Sequence, residues 1–332
     1  MKKKVFHFGI LFSMLGLLFA CAPSVKDKPV VIKAPPVITP VIVDKVIPVP
    51  PESEQPEQQQ VLVLLSSSAS AFQQIGKYIT KELGDNAVQI TLSGLPAQDQ
   101  AVIRDIQNST TTQVVAVGSK ALDAVKSFKD KQIIYTQILH HDKALTKNIK
   151  GVSSLPSPEK LFKDWKKLSP TLTKVAVVAG RDLDLYLKRA KKAARSQGIE
   201  LIVGRVNSDK GFIYKSKKLK SDVGGQWILP DNRILSGKAL KEVMAYASRR
   251  GRQIVVFSPN LLSFGGFFYV TPDLDAIAKG VLKRLAESAG KSTIPGDNVL
   301  PIMSHTIGIN QNIAKQLNLV IPQEYRKYVN GK

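Results

Sequence analysis

An α/β chain of two doubly wound parallel-sheet halves is the fold this sequence predicts, on three observations. Short apolar runs of strand character alternate with amphipathic stretches of about ten to 15 residues, the pattern of a parallel sheet covered on both faces. That alternation stops near residue 150 and begins again. Setting aside a leader and a proline-rich segment leaves about 270 residues, enough for two domains of ordinary size, and a hydrophobic content of 43% suits a folded chain.

The first half opens with VLVLL (61–65), a buried-strand run. Ser66, Ser67 and Ser68 follow and are placed to cap the helix expected through AFQQIGKYITKELG. VQITLSG (88–94) reads as strand and QDQAVIRDIQNS as helix. QVVAVGSKALDAVKSFKD gives a strand, a turn at Gly118-Ser119 and a helix, and QIIYTQIL (132–139) is the fourth strand. After KGVSSLPSPEK the strands are KVAVVAG (174–180), ELIVGRV (200–206), GQWILP (225–230) and QIVVFSP (253–259), with helical stretches between them. GGFFYVTPD (265–273) leads into the helix of DLDAIAKGVLKRLAESAG. The close, HTIGINQNIAKQLNLVIP, reads as strand, helix and a proline stop.

The N-terminus has its own logic. Lys2, Lys3 and Lys4 precede an apolar run that ends at Ala20, which describes an export signal too short for a transmembrane helix. Cys21 is the only cysteine, so no intramolecular disulfide exists for it to form. Leu18-Phe19-Ala20-Cys21 resembles the bacterial lipobox, which implies cleavage before Cys21 and lipid on its sulfur. Nine of the 19 prolines lie between Ala22 and Gln60. Proline removes backbone donors and fixes φ, so this segment is expected to be a semi-rigid spacer reaching up to roughly 120 Å. The expected location is the cell envelope, lipid-anchored on the periplasmic face. Ala22 after the cysteine, where aspartate commonly marks inner-membrane retention, points to the outer membrane if enteric-type sorting applies.

The formal charge of +22 is uneven. Residues 61–150 hold ten Lys and Arg against seven Asp and Glu, whereas residues 151–269 hold 23 against nine. In EKLFKDWKKL, Leu161, Trp165 and Leu168 form an apolar stripe that leaves Lys160, Lys163, Lys166 and Lys167 outward. LYLKRAKKAARSQG repeats the pattern, with Leu187, Ala190 and Ala194 inward. Such faces are either simply solvated or a surface for anionic lipid, cell-wall polymer or an acidic protein patch. Nucleic acid is excluded as a partner by the export signal and by the lack of zinc spacing or an RNA-binding aromatic motif.

Ligands of open parallel sheets bind beyond the carboxyl ends of the strands. Those places carry Ser66, Ser67, Ser68, Gly118, Ser119 and Gln137 in the first half, and Asp231, Asn232, Ser258 and Asn260 in the second. Hydroxyls and amides there suit a ligand carboxylate, and Asp231 suits an ammonium group; the same residue types also cap helices for structural reasons.

Gly151-Val152-Ser153 with Glu159-Lys160 and an amphipathic helix, Leu229-Pro230-Asp231-Asn232, Gln253 to Ser258, and Gly308-Ile309-Asn310 with Ala314, Leu317 and Ile321-Pro322 carry a resemblance over about residues 61 to 325. The chain resembles the periplasmic substrate-binding components of ABC transporters, in the subgroup that binds tryptophan and other aromatic amino acids. The resemblance implies a type I periplasmic-binding fold, with two lobes joined by hinge crossings near residues 150, 270 and 303 and a small molecule held in the cleft. On that reading, residues 1–20 are a signal peptide and 21–60 the lipidated cysteine and linker. Residues 61–150 with about 272–302 form the N-terminal lobe, and 151–271 with about 303–325 the C-terminal lobe. The sequence departs from the family at His140-His141 and at Phe267-Phe268.

Signatures of catalysis are missing. Two adjacent histidines cannot make an i, i+4 metal clamp, no G-x-S-x-G elbow occurs, and no G-x-x-x-x-G-K-[ST] phosphate loop is present. No cofactor, metal or enzymatic activity is expected. The functional expectation is a lipid-anchored solute-binding component of an ABC import system, delivering to a permease. The other reading is an outer-membrane lipoprotein that uses the same fold as an interaction module for a cell-wall polymer or a peptidoglycan synthase.

Overall fold

The computed structural model describes residues 60–139, 146–290 and 298–330. The leader, Cys21, Ala22, the proline-rich spacer and the His140-His141 pair lie outside these residues. The first half contains β1 (Val61–Leu65), α1 (Ser70–Leu83), β2 (Ala87–Thr91), α2 (Pro96–Asn108), β3 (Gln113–Val117), α3 (Ser119–Val125), β4 (Gln132–Thr136) and β5 (Ile149–Val152). The second continues with α4 (Pro158–Leu168), β6 (Lys174–Ala179), α5 (Asp184–Ser196), β7 (Glu200–Arg205), α6 (Asp209–Lys217), β8 (Gly225–Trp227), α7 (Gly237–Arg249), β9 (Gln253–Val256) and β10 (Phe268–Pro272). α8 (Leu274–Ser288), β11 (Val299–Leu300), β12 (His305–Asn310), α9 (Gln311–Gln316) and β13 (Val329–Asn330) follow.

Two sheets result, which is the predicted two-lobed α/β class. Among the described residues the first has the order β11-β5-β4-β3-β1-β2 and is parallel throughout. The second runs β13-β12-β10-β9-β8-β6-β7, with β10 and β12 antiparallel. All five residues of β1 are buried, as a central parallel strand covered on both faces requires. α8 returns to the first sheet: Ile277, Ala278, Val281 and Leu285 pack with Val63, Val115 and Val152. Gly280 permits this approach, because a Cβ there would lie 2.9 Å from the Val152 side chain.

The core of the second lobe is built on α4. Trp165 is fully buried, and its Nε1 donates to Gln253 Oε1 at 2.7 Å while Gln253 Nε2 donates to Ser169 Oγ at 2.7 Å. Asp164, on the same helix, accepts the Tyr325 hydroxyl at 2.7 Å and sits 2.9 Å from His305 Nε2. These contacts join α4, β9, β12 and the C-terminal segment. Phe267 and Phe268 are fully buried against Trp165, so they are core residues.

The structure differs from the sequence pattern in local places. The serine run does not cap α1, whose first turn has no side-chain cap; Ser66 Oγ instead accepts the Ala121 N–H of α3 at 2.8 Å. The fourth strand ends at Thr136, because Gln137 turns left-handed with φ 59°. β5, β11 and β13 are too short for a periodic signal, and β5 contains Gly151.

Three segments pass between the sheets. In the first, Ser153 N–H donates to Leu300 O at 2.9 Å, and Ser157 Oγ accepts from Lys160 N at the start of α4. Tyr186 of α5 donates its hydroxyl to Pro156 O at 2.8 Å. Arg189 grips Glu159 with two hydrogen bonds, Nε to Oε1 at 2.6 Å and Nη2 to Oε2 at 2.8 Å, and Ser157 Oγ donates to the same carboxylate at 2.7 Å. The second and third segments bind each other, Asp273 N–H to Ser304 O at 3.2 Å and Ser304 Oγ to Asp273 Oδ2 at 3.0 Å.

Burial pushes the Glu159 carboxyl up, but the hydrogen bonds from Arg189 and Ser157 outweigh it and hold the group below the ordinary glutamate range. A carboxyl depressed on folding contributes stability that is present above its unfolded pKa and lost as the pH falls through its folded pKa. Glu159→Gln should therefore lower the urea midpoint at pH 7, and the difference from wild type should close as the pH falls below about 4, the unfolded glutamate value.

Candidate functional site

The strand ends of the first lobe are shaped by Gly118, whose φ of 91° is left-handed and whose Cβ, if present, would lie 2.6 Å from Ser66 Oγ. Gly118 thus lets β3 turn tightly into α3 beside β1. Ser66 is buried by this turn, whereas Ser67, Ser68 and Ser119 are exposed. Gln137 is the unusual member of the group. It holds a left-handed backbone without being glycine, and its Nε2 is shielded from solvent with no hydrogen-bond partner among the described residues. Strained backbone of this kind costs about 1–3 kcal/mol, and an orphaned buried amide costs about 1–3 kcal/mol more. Packing alone gives no reason for this pairing.

The second lobe presents an internally satisfied charge network. Asp231 is fully buried and accepts from the Arg233 backbone N–H at 3.2 Å, from Nε at 3.0 Å and from Nη2 at 3.1 Å. Arg233 also donates to Arg181 O at 2.7 Å and lies 3.5 Å from Asp182. The hydrogen bonds that Arg233 donates to Asp231 raise its pKa further, against a smaller lowering by burial. The Asp231 carboxylate is therefore committed to an intramolecular guanidinium, not left open for an ammonium group. Asn232, Asn260 and Pro259 are exposed, and Ser258 is half-buried.

The sequence-predicted residues thus fall on strand ends of both lobes, but none of them lines the cavity beside the crossings. That cavity has a volume of about 720 Å³, within the range of small-molecule sites. Its walls come from both lobes: Ile138, Val152 and Val299 from the first, and Leu183, Tyr186 and Lys188 from the second. Ser153, Ser154 and Pro156 of the first crossing form part of it. A smaller cavity of about 90 Å³, lined by Trp227, Leu229, Pro230 and Phe257, shares Ser154, Leu155 and Pro156 with it. Sequence reasoning missed this site because its polar groups lie on a crossing segment and on the second and third turns of a helix. The signal available was the run of Lys188, Arg189 and Lys192 on a helix that begins beside the crossing.

Burial raises the Tyr186 hydroxyl well above the ordinary tyrosine range, with Arg189 partly opposing and Glu159 adding to the rise. It therefore remains a hydrogen-bond donor to Pro156 at any physiological pH. Among the described residues no group of His, Cys, Asp and Glu is arranged to hold a metal ion, and no helix is long and apolar enough to cross a membrane.

No protein-family model matches the chain, and no curated protein matches it. Solved structures do. A chain described as the ABC domain in complex with L-Trp from Streptococcus pneumoniae is 18% identical at a TM-score of 0.55, covering 82% of this chain and 99% of its own. A conserved domain protein from Vibrio cholerae gives 17% identity and a TM-score of 0.54 over 82% and 99%. The ligand-free, open structure of CD0873, a substrate-binding protein with adhesive properties from Clostridium difficile, gives 13% and 0.59 over 82% and 98%. Nearly the whole of each of these chains is matched by the two lobes and their crossings together, so the chain has the type I fold of the periplasmic substrate-binding proteins.

Proposed function

We propose that this protein is a solute-binding component of an ABC import system, exported and held at the cell envelope by lipid on Cys21. The observation that carries the reading is the 720 Å³ cavity, which draws its walls from both lobes and from the segment that joins them. A solute seated there touches both halves at once, so its binding energy acts directly on their relative position. Three passages between lobes leave few covalent links to resist such closure. Neighbours of this fold support the reading: one is described as an ABC domain with bound L-Trp, another as a substrate-binding protein, and a third as a periplasmic ribose ABC transporter from Conexibacter woesei.

Within this reading Gln137, whose Nε2 has no partner among the described residues and which adjoins Ile138 of the cavity wall in sequence, is proposed as a solute contact. Ser67, Ser68, Ser119, Asn232, Ser258 and Asn260 form the outer strand-end rim. Ser66, Gly118 and the Asp231–Arg233 pair hold that rim in shape. A second reading, a module that docks on an anionic cell-wall polymer, is favoured by α4 and α5. Their carboxylates are engaged, Glu159 by Arg189, Asp164 by Tyr325 and His305, and Asp184 by Arg205. The permease and the membrane that receives the anchor belong to the same proposal.

Native mass spectrometry of residues 60–332 should reveal a co-purifying small molecule that is released on denaturation. Protein carrying no solute, with tight salt-sensitive binding to isolated peptidoglycan, would favour the docking module instead. Gln137→Gly separates binding from folding. Relief of the left-handed strain should raise stability by about 1 kcal/mol, while affinity for the recovered solute falls about tenfold. A variant that binds normally would remove Gln137 from the site.

A further inference from the structure

We infer that the cavity beside the crossings takes an organic anion with an apolar body and no ammonium group, an assignment that rests on the solute-binding reading. Its described lining contains Lys188, Arg189 and Lys192 and no Asp or Glu. Lys188 and Lys192 stand one helical turn apart on α5, on the same side of the helix. Neither has an acidic partner among the described residues. Two carboxylates that could offset them are already engaged: Glu159 is held on both oxygens by Arg189 and also by Ser157, and Asp184, one turn before Lys188 on α5, is paired with Arg205. Among the described residues Arg189 uses Nε and Nη2, and no contact of its Nη1 is seen.

Apolar side chains make up much of the rest of the lining, with the serines of the first crossing, Tyr186 and Asn298 set among them. Leu139, Val152, Leu155 and Ile302 provide the walls, and Leu185, at the opening, is 60% exposed. Met303, 55% exposed, lies against Arg189 with its sulfur 3.6 Å from Nη2. Leucine and methionine left in water beside three cations describe a surface completed by something apolar and negative. A zwitterion fits poorly. Its ammonium would enter beside Lys188, Lys192 and an arginine already paired with Glu159, and among the described residues no lining carboxylate is left to receive it, so it would lose hydration without gaining a partner. Charge therefore selects a carboxylate, or an equivalent anion, carried on an aromatic or branched aliphatic body.

The test uses the full-length protein and three compounds of one shape, 3-phenylpropionate, L-phenylalanine and 2-phenylethylamine, titrated calorimetrically. The anion should bind, the zwitterion at least tenfold more weakly, and the amine not at all. Lys188→Gln/Lys192→Gln should weaken the anion about tenfold and flatten its salt dependence, since exposed charge contacts are screened by salt. Lys191→Gln, on the same helix but outside the cavity, should leave affinity unchanged. L-Phenylalanine binding as tightly as the anion, or an unaffected double variant, would overturn the assignment, and so would equal weakening by Lys191→Gln. Failure of the anion to bind, with a co-purified solute still present in native mass spectrometry, would reject this ligand class and leave solute binding standing.

Discussion

The two hydrogen bonds from Arg189 to Glu159 set where the first crossing enters the second lobe, and the cavity beside that crossing is built around them. The first crossing leaves the N-terminal sheet at Val152 and must reach α4 within six residues. At one end its backbone is bound to β11 through Ser153 and Leu300; at the other, Glu159 fixes it to α5 and Tyr186 holds Pro156. The crossing is therefore clamped to each lobe, with Leu155 and Ser157 buried and Leu155 joining the core of the second. α5 serves both as the clamp and as a wall of the cavity. A single half-exposed ion pair contributes little to global stability, but here its value is positional.

This explains how the charge of the second lobe can coexist with the proposed binding role. Most of its excess lysines simply face water, as the helical pattern indicates. Those on the cavity side of α5 differ, because the carboxylates near them, Glu159 and Asp184, are already committed to Arg189 and Arg205. The same principle governs the opposite rim, where Asp231 is consumed by Arg233. The described carboxylates at either rim, Asp231, Glu159 and Asp184, are spent on holding the protein together, and the groups left for a ligand are cations, hydroxyls and amides.

Much of the fold was legible from periodicity. Strands such as Val61–Leu65 and Lys174–Ala179 are continuous apolar runs, and helices such as α4 carry a clear stripe. β5 and β11 were not legible, since four and two residues give no period and their role depends on pairing across the chain. The candidate site was read less well. Strand ends could be found, but which polar groups remain open depends on partners distant in sequence: Ser66 is taken by Ala121 and Glu159 by Arg189. Gln137 was named for its place late in a strand, yet its left-handed backbone and unpartnered amide have no sequence signature. The cavity itself joins residues around 138, 154, 188 and 300, a juxtaposition that exists only once both lobes have folded.

The central claim is that a solute at the crossings acts on both lobes together. Spin labels at Ser119 and Asn260, exposed positions on opposite lobes, in a Cys21→Ser background, allow the distance between lobes to be measured by pulsed dipolar spectroscopy. Saturating solute should shift the distribution to shorter distances and narrow it. Solute bound with an unchanged distribution would contradict the account.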